Sequence, residues 1–161
     1  MTSFTDTKGE VWDLELNLAA AKVLKSRLKI DLDNLVSSDP GGNSMLEQLA
    51  SDSILLFNAI YCLCEKQVLE RNLTEEDFAA RFSGDTIEAA TEALLDEIVN
   101  FSRPAKRKIL IQLRRISKEI AEKAGRELDR IMADPNFSAT VEAEIEKQLP
   151  KLPPTAPGSS D

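Results

Sequence analysis

Few residues in this chain have the types and spacing that chemistry needs. Asp96 and Glu97 are adjacent carboxylates of the kind that acid/base catalysis uses. They fall in a helical pattern, where neighbours point about 100° apart, so the two cannot close on one substrate. The residues "DLDN" at 31–34 begin like a calcium loop. The glycine and the closing glutamate are missing from the required offsets, which leaves a loop-capping role. Cys62 and Cys64 are two residues apart, which on a helix turns the thiols to different sides and is not the CxxC spacing of a metal pair. Two reduced, buried thiols are expected. The chain has no histidine. That removes His-based triads, His metal sites and the usual general base near neutral pH. It also lacks a GxxxxGK[ST] or GxGxxG loop for phosphates. The expectation is a protein that is not an enzyme and carries no cofactor and no metal.

Recognition is the chemistry left. The stretch "DTIEAATEALLDEIVNFSRPAKRKILIQLRRISK", residues 85–118, is divided by charge. Residues 85–100 hold five acids and no base, and residues 103–118 hold seven bases and no acid. With Ile87, Leu94 and Ile98 turned inward, Asp85, Glu88, Glu92 and Asp96 form an outer acidic stripe. With Ile109, Leu113, Ile116 and Ile120 inward, Arg107, Arg114 and Lys118 form a basic stripe that includes Ile111. Glu97 and Lys106 are the flanking residues placed to pair across the seam. Surface ion pairs contribute only about 0–1 kcal/mol, so the stripes suit recognition better than holding a fold together. An ordinary solvated face is the alternative. An apolar Ile111 within a basic stripe favours a face meant to be covered. Complementary stripes on different faces also suggest weak, salt-sensitive head-to-tail self-association.

The elements that must position these residues are mostly helical. A chain of 161 residues suits one domain. Aromatics are few, so a core mainly of Leu, Ile, Val and Ala is expected. The net charge of -8 argues against nucleic-acid binding, for which only the run 103–118 speaks. No apolar run is long enough for a membrane span, and "MTSFTDTKGE" does not read as a signal peptide. Residues 3–16 predict a hairpin: a strand at 3–5, a turn Asp6-Thr7-Lys8-Gly9, and a return strand at 10–16. In the return strand Trp12, Leu14 and Leu16 alternate with polar residues. Asn17 caps a helix with Leu18, Ala21, Leu24 and Leu28 on one stripe. The Asp-Pro-Gly-Gly run at 39–42 is a loop.

Ser44 opens a long helix to about residue 72, and its nearly all-apolar segment 54–64 makes it central. Thr74 caps a short helix with Asp77 at its third position, and Leu73 and Phe78 are placed as a staple. Asp85 caps the next helix, with Glu88 completing a capping box. Pro104 starts the longest helix, with Ile109, Leu113, Ile116, Ile120, Leu128 and Ile131 as its buried stripe. Ser138 caps the last helix, to about Gln148. The organisation is therefore a mainly α domain over 1–132 with its N-terminal β-hairpin at 3–16, a C-terminal helix at 133–149, and a disordered Pro/Gly/Ser tail at 150–161.

The opening "FTDTKGEVWDLEL", the helix and "IDL" after it, and the middle "LTEEDFAARFSGDTIEAATEALLDEIVNFSRPAKR" resemble tail assembly chaperones of long-tailed bacteriophages and prophages. The likeness covers roughly residues 3–115. It implies a helical protein of the host cytoplasm that binds the tape measure protein and recruits tail tube subunits before leaving the particle. On that reading Arg107, Ile111, Arg114, Lys118, Asp85, Glu88, Glu92 and Asp96 are the partner-binding residues. Two other classes fit the same residues. One is a structural tail or head–tail connector protein of the virion. The other is a helical adaptor or regulator that binds nucleic acid through its basic helix.

Overall fold

The computed structural model describes residues 1–37 and 42–149. The tail expected at 150–161 and part of the expected loop, residues 39–41, lie outside the described residues. The described chain is mainly α-helical with one N-terminal hairpin, the class that the sequence periods predict. Strands β1 (Thr2–Thr5) and β2 (Val11–Leu14) pair antiparallel, with Phe4 opposite Trp12. The helices are α1 (Leu18–Leu28), α2 (Met45–Ser51), α3 (Ser53–Glu70), α4 (Glu75–Ala79), α5 (Gly84–Phe101), α6 (Pro104–Met132) and α7 (Pro135–Gln148), and a 3-10 turn spans Leu32–Asn34. The chain divides into two compact units, Met1–Ile111 and Gln112–Asp161.

In the first unit the hairpin needs the helices. A two-stranded ribbon is marginal alone in water; here β1 lies on α5, and β2 lies on α3 and α5. The period-two pattern holds, with Trp12, Leu14 and Leu16 buried and Asp13 and Glu15 exposed. Gly9 closes the turn by donating its N–H to the Asp6 carbonyl (3.0 Å) at φ 81°, a left-handed conformation that favours glycine. Helix α3 is central, touching α1, α2, α4, α5 and β2. Aromatic side chains are few but gathered: Phe4, Trp12, Phe57, Tyr61, Phe78 and Phe82 form one linked cluster, with Trp12 and Phe78 ring centroids 4.5 Å apart.

Local capping follows the sequence at three points. Asn17 Oδ1 accepts from the Ala20 N–H, and Ser44 with Glu47 and Thr74 with Asp77 form capping boxes. Elsewhere the structure differs. The long helix expected from Ser44 is two, because Asp52 ends α2 and starts α3, its Oδ1 accepting from Ile54 N (2.9 Å) and Leu55 N (3.0 Å). Helix α5 begins at Gly84 after Ser83, so Asp85 sits inside the first turn and forms no capping box. There its charge still favours the positive helix end. Asp134, not Ser138, caps α7. Leu18 is 73% exposed, outside the buried stripe of α1. The largest correction is in α6. Ile109, Ile116, Ile120, Leu128 and Ile131 are exposed and Leu113 is half-buried, while Leu110 is the helix's buried residue. A helical period marks a face, but the face is buried only where another element lies against it.

An ionic latch docks the hairpin turn. The Asp6 side chain is 0% exposed. It accepts from Lys8 N (2.8 Å), Glu10 N (2.9 Å), Trp12 Nε1 (3.0 Å) and Arg81 Nη1 (3.1 Å). Burial alone would raise its pKa, but the hydrogen bonds from Trp12, Glu10, Arg81 and Lys8 outweigh it and lower the carboxyl to about 2. Arg81 also pairs with Glu10 at 2.9 Å. Arg71 lies 3.9 Å over the Trp12 ring and donates to Glu10 and to the Val11 carbonyl.

Candidate docking cleft and charged faces

In the first unit, α1, the 3-10 turn and the corner between α5 and α6 line an open cleft of about 680 Å³. The Asn17 cap fixes where α1 starts, so Leu18, Ala21, Lys22 and Lys25 (spaced i, i+3, i+4, i+7) share its cleft-facing side. Lys29 stops the helix at φ 61° and turns the chain back. Asp31 then reaches Lys25 Nζ at 2.8 Å and caps the 3-10 turn by accepting from Asp33 N. Those two hydrogen bonds, Lys25 first, lower the Asp31 pKa, and Asp31 raises that of Lys25. Lys106 Nζ donates to the Leu32 carbonyl at 2.8 Å and ties the start of α6 to the same turn. Phe101, Leu32 and Ala105 complete the apolar lining, and Lys22 and Arg103 stand exposed on the rim.

Four cations and two carboxylates around an apolar floor make a net positive, partly greasy groove. It contains no nucleophile with an adjacent base. Its chemistry suits holding an acidic amphipathic segment, as helix-in-groove recognition does. Sequence reading missed it because its residues come from 18–33 and 101–106. The one usable signal was the spacing of Leu18, Ala21, Lys22 and Lys25.

Asp85, Glu88, Glu92 and Asp96 all lie on the exposed side of α5, opposite Thr86, Ala90, Ala93, Leu94 and Ile98. The structure therefore brings the acidic stripe together. Glu97 does not pair across a seam. It is buried, and its Oε1 accepts from Leu16 N at 3.1 Å; Lys106 is turned to the cleft instead.

The basic residues are more dispersed in role. Arg107 reaches back to the end of α5 and donates to the carbonyls of Val99 (3.1 Å), Asn100 (2.7 Å) and Ser102 (3.1 Å). It satisfies acceptors that a helix end leaves open. Ile111 is 50% exposed, but Ile109 is 54% exposed, so Ile111 is not distinctive. Arg107 and Ile111 belong to the first unit, and Arg114 (half-buried) and Lys118 (exposed) to the second. Glu92, Asp96 and Arg114 each already have an interaction of their own, which a contact through the stripes would have to exchange.

The thiols are free and lie on different sides of α3. Cys64 is buried, which pushes its pKa up to about 12, and burial also raises that of Cys62. Among the described residues no group of three or more Cys, Asp or Glu is placed to hold a metal ion. No described helix is long and apolar enough to cross a membrane. Comparison with family models, with curated proteins and with solved structures found no match.

Proposed function

We propose that the protein is a non-enzymatic tail assembly chaperone of a long-tailed phage or prophage. It works in the host cytoplasm, where it captures the tape measure protein and recruits tail tube subunits. The cleft of about 680 Å³ carries this reading. A rigid helical scaffold presents an apolar floor with a basic rim, a fit for an acidic amphipathic helix of a long helical partner. The resemblance of residues 3–115 to such chaperones names that partner. The acidic face of α5, on the outside of the same unit, is a separate charged surface for the tube subunit.

The test is co-expression of the full chain with the tape measure protein of the same genome, followed by affinity capture. Leu18→Asp and the pair Lys22→Glu, Arg103→Glu change exposed residues of the cleft, so the fold is retained. Each should cut capture by about tenfold or more, the equivalent of about 1.4 kcal/mol. Capture unchanged in both variants would remove the cleft as the site. A wild-type chain that holds neither the tape measure nor the tube protein would remove the function.

A further inference from the structure

The last helix has the chemistry that the cleft is built to hold. Residues 135–148 carry three acids, Glu142, Glu144 and Glu146, and one base, Lys147. Phe137, Val141 and Ile145 follow one another at intervals of four residues, and all three are exposed. At 100° per residue they span an arc of about 80° centred on Val141, with Gln148 inside it. Glu144 lies about 60° from that centre on one side and Glu142 about 100° on the other. Each flank of the apolar stripe therefore has a carboxylate, while Glu146 and Lys147 lie further round the helix. Glu144 meets Lys147 at 3.9 Å, with both side chains more than half exposed. Such a pair is worth little and is readily exchanged.

In the first unit, the cleft offers the complement. Leu18, Ala21, Leu32 and Phe101 supply its apolar lining. Lys25 and Lys106 are engaged by Asp31 and by the Leu32 carbonyl. That leaves Lys22 on α1 and Arg103 at the corner of α5 and α6 as the unpaired cations of the cleft among the described residues. The lengths agree: Phe137 to Ile145 covers about 12 Å along α7, and Leu18 to Lys25 about 10 Å along α1.

We infer that α7 of a second copy of the chain docks in the cleft, with its Phe137, Val141 and Ile145 stripe on the apolar lining and Glu142 and Glu144 at Lys22 and Arg103. Like the proposed function, this rests on the cleft as a seat for acidic amphipathic helices, but it does not depend on which partner protein uses it. A second copy supplies the helix because α6 joins the cleft corner to α7 as one helix of 29 residues, about 42 Å long. At 14 residues, or about 21 Å, α7 is too short to return along it. The contact is heterologous, so every copy has both a cleft and an α7 to offer. It makes α7 a built-in competitor, which a partner helix must displace.

Directed disulfides, sedimentation and capture on the full chain test this. In a Cys62→Ala background, a mixture of Leu18→Cys and Val141→Cys chains should oxidise to a linked dimer, and neither variant alone should link efficiently. The wild type should associate as its concentration rises. Val141→Asp, and the pair Glu142→Lys, Glu144→Lys, should each weaken association by about tenfold or more, with circular dichroism unchanged. Adding Lys22→Glu and Arg103→Glu to the Glu142→Lys, Glu144→Lys chain should restore it. Val141→Asp should hold tape measure protein as well as wild type or better, since it removes a competitor and leaves the cleft intact. A monomer at every concentration, no link in the mixture, ready linking of Val141→Cys to itself, unchanged association of Val141→Asp, failure of the charge swap to restore association, or reduced capture by Val141→Asp overturns the inference. A chain that links as expected yet captures no tape measure protein removes the proposed partner and keeps this contact; a chain that captures it but does not link removes this contact alone.

Discussion

Replacing Asp6 should detach the hairpin turn from the helices, and the size of the effect follows from its contacts. The folded carboxyl has a pKa of about 2 against an ordinary 3.8. At about 1.4 kcal/mol per unit, the folded state prefers the ionised form by about 2.5 kcal/mol. Alanine removes more than this. It strands the Trp12 indole N–H and the Lys8 and Glu10 N–H groups, and leaves Arg81, 7% exposed, with Glu10 as its remaining carboxylate. Breaking a buried pair from one side costs about 3–5 kcal/mol, and Asp6→Ala should fall in that range. Typical domains have about 5–15 kcal/mol in total, so the urea midpoint should drop sharply. Trp12 is the only tryptophan and reports the transition directly by fluorescence. The pH dependence separates charge from packing. Because the folded pKa lies below the unfolded one, the Asp6 contribution is complete above about pH 4 and is lost as pH falls from about 4 to 2. Asp6→Asn should remove that step from the acid-unfolding profile. A stability within about 1 kcal/mol of wild type for Asp6→Ala at neutral pH, with Trp12 emission still that of a buried indole, would refute the latch.

Arg107→Ala should lower stability by about 1–2 kcal/mol in thermal unfolding, because three carbonyls at the end of α5 lose a charged donor. Arg107→Lys should restore only part of it, since an ammonium cannot present the guanidinium fork. A thiol reagent at pH 8 should leave Cys64 untouched in the folded chain and react slowly with Cys62, because burial raises both pKa values; both should react at once in urea. Asp52→Ala should cost about 1 kcal/mol of stability and fray the start of α3, read as slightly lower helicity by circular dichroism.

Features set within a few residues were legible in the sequence. The alternation of Trp12, Leu14 and Leu16 needs only a strand with one wet side, and the caps at Asn17, Ser44 and Thr74 bond to backbone three residues on. What failed depends on contacts between distant segments. Asp52 breaks a run whose apolar period continues on both sides, so pattern alone reads one helix. Asp6 looks like an ordinary turn residue until Arg81, 75 residues away, supplies its counter-charge. Glu97 looks like a surface acid until Leu16 N is brought against it. The α6 stripe was identified as a face, but the period says nothing about what covers it. Of the site, the acidic stripe of α5 was readable because one helix holds it; the cleft was not, because two segments about 70 residues apart build it.

The division of charge between residues 85–100 and 103–118 has a cause inside the fold. A helix carries a partial positive charge at its start and a partial negative charge at its end. Asp85 and Glu88 lie near the start of α5, where acids are favoured. The end of α5 at Phe101 needs cations, and the next residues able to supply them open α6. Bases at the start of α6 are unfavourable for that helix by itself. Arg107 resolves the conflict by turning back onto the Val99, Asn100 and Ser102 carbonyls, and Lys106 does so through the Leu32 carbonyl. Arg115 is held by Glu119 and Arg114 has an interaction of its own. Of the seven bases, Arg103, Arg107, Lys108, Arg115 and Lys118 are exposed. Three of the run's bases, Arg103, Lys106 and Arg107, stand at the corner that shapes the cleft. A molecule of net charge -8 will repel an acidic partner at long range. Attraction by the cleft rim operates only within about 10 Å at 0.1 M salt. On the proposed function, recognition there would depend on an acidic segment whose apolar side also fits the floor, and the cleft would favour amphipathic helices over simple polyanions.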